Sequence, residues 1–184
     1  MSPAFSVFNG MEGVQMLKVY IESRTAREMG IQIGQWFNLE ECAQDELEEV
    51  IRRDVTLFEY DITEVELKGY KGEIEPGSIG LDGLYKAVEF LNDPDDYRAE
   101  AFRAYINLQA DRLDYAVDYF EEAYRGMWES LEDFAHEHLM ETDEVYRQWS
   151  EGFHCWRPEI DEIAFRCNFD TANTRYGLAV FQAV

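Results

Sequence analysis

Apolar and polar positions alternate through "MLKVYIES" (16–23) and again through "IQIGQWF" (31–37), both rich in branched and aromatic residues. The turn-like "TAREMG" separates them, so the pair predicts a β-hairpin. The period then changes. Asn38 as N-cap, with Glu41 three residues on, predicts a capping-box helix over "LEECAQDELEEVIRR". At 100° per residue its Leu39, Ala43, Leu47, Val50 and Ile51 share one side, while Glu41, Asp45, Glu48 and Glu49 gather opposite. "TLFEYDITEVEL" (56–67) returns to strand-like alternation, completing a strand, strand, helix, strand unit.

The glycine-rich "GYKGEIEPGSIGLDG" (69–83) interrupts periodicity and reads as a linker. Helical patterns follow in "LYKAVEFL" and "YRAEAFRAYINLQA", divided by "NDPDD", which suits a turn and a helix start. In "DYAVDYFEEAY" (114–124) a helix would bring Leu113, Val117, Phe120 and Tyr124 within about forty degrees of one another. Asp114, Asp118, Glu121 and Glu122 then form an acidic face. A further helix starts at Ser130, with Asp133 as its capping partner, and runs through "LEDFAHEHL". "RPEIDEIAF" predicts a last helix with Pro158 near its first turn, and "YGLAVFQAV" a closing strand. The pattern as a whole is α+β.

Composition changes this picture in one respect. The 184 residues carry 39 acidic against 16 basic side chains, a net charge of -23. Chains so acidic are often disordered, but this one has 12 Phe, 11 Tyr and 4 Trp with which to build a core. The acid therefore coats a folded body, which repels nucleic acid and anionic membranes and attracts a basic surface or a cation. Three cysteines and the lack of a secretory signal or long apolar run give the expectation of a cytoplasmic protein.

The charge is also segregated. Residues 1–36 are net neutral and 153–184 carry -1, whereas 37–72, 73–113 and 114–152 carry -7, -5 and -10. A demand for solubility alone gives no reason to spare both ends.

Catalytic and metal constellations find little support. His136 and His138 in "AHEHLME" lack the i,i+4 spacing of a zinc helix, and His154, Cys155 and Cys167 come without a paired C-x-x-C. There is no phosphate loop and no nucleophile elbow. Calcium is the serious rival because carboxylates are its ligands, yet neither "NDPDDY" nor "METDEVY" has EF-hand spacing. The expectation is no catalytic residue, no metal and no cofactor.

A stripe of like charges has a physical cost. The i,i+3 and i,i+4 pairs among Asp114, Asp118, Glu121 and Glu122 destabilise a helix by on the order of 1 kcal/mol together. They also span about 12 Å of helix, one carboxylate per roughly 4 Å along the axis, against one phosphate per roughly 3.4 Å on a DNA strand. The net charge of -23 corresponds to about 39 Å of duplex, and a two-fold dimer to about twice that. Such a surface would present the charge pattern of a nucleic-acid backbone to a protein built to grip one.

The order of "VYIES", "GIQIGQWFNL", "FEYDI", "PGSIGLDGLYKAVEFLN", "RLDYAVDYFEEAYRGMWESLEDFAHEHL" and "AVF" resembles the ArdA-type antirestriction proteins of mobile genetic elements. The resemblance implies an elongated protein of three small domains that dimerises through the last and imitates bent B-form DNA. With the pattern above, the boundaries are an extension 1–13, an N-terminal α+β domain 14–72 with a three-stranded antiparallel sheet, a central helical domain 73–113 and a C-terminal α+β domain 114–184. The implied partner is the DNA groove of a type I restriction-modification enzyme. "SRTAREMG" and the extension 1–13 depart from the family's usual pattern. Asp114, Asp118, Glu121, Glu122, Glu132 and Asp133 carry over as a binding surface rather than an active site, joined by Glu129 and Glu137. Glu41, Asp45, Glu48 and Glu49 extend it outward. The alternatives are a carboxylate-rich calcium-binding protein, or a DNA mimic aimed at another defence nuclease or a nucleoid protein.

Overall fold

The computed structural model describes residues 17–55, 59–152 and 161–183. β1 (Leu17–Ser23) lies at the centre of an antiparallel sheet between β2 (Gly34–Asn38) and β3 (Tyr60–Leu67). Its alternation is the one the sequence predicts: Leu17, Val19, Ile21 and Ser23 point inward and are buried. Ile21 stands opposite Gln35 on one side and Ile62 on the other.

The turn between β1 and β2 closes into a short helix, α1 (Arg24–Glu28), because Ser23 caps it by accepting from the Ala26 amide. Arg24 and Arg27 both reach Asp61 on β3, which fastens this turn to the far edge of the sheet.

The capping-box prediction is half right. Asn38 Nδ2 donates to Glu41 Oε1 at 2.8 Å and its side-chain oxygen accepts from the Glu40 amide, yet no helix starts there. Leu39, just past β2, is still held against the sheet, since its amide donates to the Leu17 carbonyl at 3.0 Å and its side chain is buried. The motif therefore closes a turn. α2 (Gln44–Val50) begins only after it, and continues into a π-helical turn, Ile51–Val55.

α3 (Leu81–Leu91), α4 (Asp96–Leu108) and α5 (Leu113–Ala123) match the helical patterns of the middle segment. The preceding glycine-rich stretch is not slack: Ile74 is buried and bridges to Val65, the Glu75 amide donates to the Asp111 carbonyl, and the Leu113 amide donates to that of Glu75. Leu113, Val117 and Phe120 are buried as expected, and Phe120 packs against Phe90, Phe102, Tyr105 and Phe181.

Tyr124 leaves the helix for β4 (Tyr124–Trp128), pairing with Phe181 of β6 (Gly177–Gln182). β5 (Phe169–Thr174) completes a second antiparallel sheet of order β4-β6-β5. α6 (Leu131–Thr142) starts at Ser130 as predicted, with the Asp133 amide donating to Ser130 Oγ at 3.1 Å. α7 (Glu144–Gly152) and the short α8 (Glu162–Arg166) follow. α8 is capped by Asp161, which accepts from the Ile163 and Ala164 amides; Pro158 lies outside the described residues. The fold is α+β. Buried side chains from Leu17 through Phe181 form one continuous apolar cluster, with a smaller one around Phe134, Phe169 and Val180.

Candidate acidic partner surface

Asp114, the first acid of the predicted α5 stripe, corrects that prediction. It is 7% exposed, and Arg112 Nη2 donates to its Oδ2 at 2.9 Å. The Ser78 amide donates to the same oxygen at 3.0 Å and the Tyr115 amide to Oδ1 at 2.8 Å. Burial pushes this carboxyl up, but the donated hydrogen bonds and the Arg112 charge outweigh it and hold it below the usual carboxylate range. Asp114 is a fastener at the helix start, not part of an outward stripe. Helical phase alone could not show this, because Ser78 comes from a distant loop.

Glu121 is also less free than the sequence suggests. Arg98 Nη2 lies 3.2 Å from it and Lys86 Nζ 3.9 Å away, both from neighbouring helices. Arg98 is the hub of this corner, reaching Asp93 as well and lying 5.8 Å from the ring centroids of both Phe90 and Phe120. Nothing in the 114–124 stretch announced it.

Most of the other predicted acids face solvent. On α5, Asp118 and Glu122 are exposed and their carboxylates enter no ion pair among the described residues. On α2, Asp45, Glu48 and Glu49 are exposed in the same way, whereas Glu41 sits in the preceding turn, held by Asn38. Around α6, Glu129, Glu132 and Glu137 are exposed; Asp133 is half-buried and accepts from Ser130 Oγ at 2.6 Å. Glu46 and Glu141 are exposed acids on the same two helices that the stripe left out.

The bases are disposed differently. Arg24, Arg27, Arg53, Lys86, Arg98, Arg112 and Arg175 each meet a carboxylate of this chain within 4.0 Å. Internal pairing thus consumes much of the scarce positive charge. The negative surplus collects on solvent-facing helix sides.

The two described histidines both contact aromatic side chains. His136 Nδ1 lies 2.7 Å from the Tyr146 hydroxyl, and His138 stacks on Phe134. His154 and Cys155 lie outside the described residues, among which no group of three His, Cys, Asp or Glu side chains is placed to hold a metal ion. No helix among those residues is long and apolar enough to cross a membrane.

The family model of the antirestriction protein ArdA matches residues 19–167. This chain belongs to the ArdA family. The match runs from within β1 to the end of α8, so it takes in α2, α5 and α6. A search of curated proteins returns no match. ArdA proteins are antirestriction proteins, an inhibitor family, so membership suggests a restriction-modification enzyme as the partner of this chain.

Proposed function

We propose that this ArdA protein is a DNA mimic that occupies the basic DNA groove of a type I restriction-modification enzyme and inhibits it by competition. One observation carries the reading: Asp45, Glu48, Glu49, Asp118, Glu122, Glu129, Glu132 and Glu137 are exposed and free of ion pairs among the described residues, while seven of the bases are tied to acids within the chain. Such carboxylates have no cation of this chain's described residues to satisfy them, which leaves them open to a partner's. Bringing them into a cationic groove releases the counterions of both surfaces, as phosphates do.

The acids of α2 extend the charged track laid by α5 and α6, and a homodimer through the C-terminal domain 114–184 would double its length. N-terminal (14–72) and central (73–113) domains then form each arm. The site of action is the cytoplasm, where restriction enzymes meet incoming DNA. No cofactor or catalytic residue enters this mechanism.

The test is a pull-down against a type I methyltransferase core with duplex DNA as competitor. Duplex should displace the protein, and binding should weaken as salt rises. A ternary complex holding duplex and protein together would defeat the reading.

A further inference from the structure

The strongest feature outside the acid surface is the outer edge of β2. From Met29 to Leu39 the chain has no charged residue and no proline, in a protein of which 30% is charged. Met29 is 71% exposed, Ile31 53%, Ile33 42% and Trp36 42%. Among the described residues β2 is also an edge strand, paired only with β1. The Ser23 amide donates to Ile33 and the Leu39 amide to Leu17, so by antiparallel alternation Ile33, Gln35, Phe37 and Leu39 face β1. The backbone N–H and C=O of Gly34 and Trp36 point away from the sheet, and no described residue takes them.

Proteins guard such edges with charge, proline or a covering segment. Here charge and proline are both missing, although the protein carries 39 acidic and 16 basic residues.

We propose that the β2 edge is a strand-docking site for an extended, uncharged segment of the target enzyme next to its basic groove. This rests on the DNA-mimic reading and adds target choice to it. Acidic helices fit any cationic groove, whereas strand addition requires a matching edge and side chains that suit Ile33 and Trp36. Charge decides between the two protein occupants. A second copy brings another -23 to the contact, while a DNA-binding enzyme brings positive charge that the acids of α2, starting at Gln44, can meet.

The experiment compares Trp36→Ala with Trp36→Pro. Both remove the indole, but only proline removes the outward N–H, and the ladder to β1 stays intact. Binding to the methyltransferase core is measured at low and high salt, with urea midpoints as a folding control. Trp36→Pro should bind roughly tenfold more weakly than Trp36→Ala, by the same factor at both salts. Ile31→Lys, which leaves the ladder untouched, should weaken binding too and serves if the proline variant misfolds. Equal binding by Trp36→Pro and Trp36→Ala, or wild-type binding by Ile31→Lys, overturns the proposal. Loss of a wild-type homodimer in either variant overturns it in favour of a second copy. Failure of duplex to displace the wild type sinks the DNA-mimic reading instead, a separate outcome.

Discussion

Gly77 leaves room for the carboxylate of Asp114: a Cβ built at position 77 would overlap its carboxyl atoms, and the Gly77 φ of +64° independently disfavours a side chain. The loop can press against the start of α5 only because nothing projects from it there. Ser78, next in the chain, then donates its amide to Asp114. Two residues distant in sequence thereby join the glycine-rich stretch to the acidic helix.

Gly77→Ala should therefore destabilise the protein by about 2 kcal/mol, through strain at positive φ and displacement of the carboxylate. A drop of roughly 4 to 8 °C in thermal midpoint is expected for a chain of this size. Differential scanning calorimetry checks it; an unchanged midpoint would mean that the loop shifts at no cost.

Asp114→Asn keeps the shape but offers an amide nitrogen where two donors point, and should cost on the order of 1 to 3 kcal/mol at neutral pH. Its pH dependence follows from the depressed carboxyl. A group whose folded pKa lies below its unfolded value stabilises above the unfolded value, near 4, and loses that stabilisation as pH falls through the folded one. Urea midpoints of the wild type should thus fall below about pH 4. In Asp114→Asn that part of the acid dependence disappears, leaving contributions such as that of Asp61, which Arg24 and Arg27 also hold low.

Arg98→Met keeps an apolar body over Phe90 and Phe120 but removes the charge shared by Asp93 and Glu121. Thermal stability should fall modestly, by roughly 1 kcal/mol, and added salt should recover part of it by screening the exposed acids. Thermal melts across a salt series measure this.

Replacing Asp45, Glu48 and Glu49 together by their amides should leave the melting temperature within a few degrees of wild type, since none is paired within the described chain. Inhibition of a type I enzyme should weaken by roughly tenfold at low salt and less at high salt. Glu121→Gln behaves differently, because it also releases Arg98 and Lys86. It should lose stability as well as binding.

Calcium titration followed by calorimetry and melting should give no saturable uptake and no midpoint shift beyond that of sodium chloride at equal ionic strength. Saturable binding with a raised midpoint would revive the carboxylate-cage alternative.

The chain's local order was legible where period and burial agree. The strands around Val19 and Val65 alternate because one face of their sheet is buried, and α3 to α6 show their apolar sides as plainly. β4 and β5 were not legible: "YRGMW" and "FDTANT" are short and only partly buried, so no two-residue period stands out until β6 lies between them. α7 has no buried residue to mark its inner side.

The sequence by itself determined that the protein is an α+β body with its acid gathered on the faces of α2, α5 and α6, since helical phase separates apolar from charged residues whatever their neighbours. Only the tertiary structure decided which acids stay exposed and unpaired among the described residues. Asp114 and Glu121 are drawn in by Arg112, Ser78, Arg98 and Lys86, and Asn38 closes a turn because Leu39 is still held by Leu17. Most of those contacts cross tens of residues of sequence, and a hydrogen bond or ion pair acts through proximity in space, which no local pattern records.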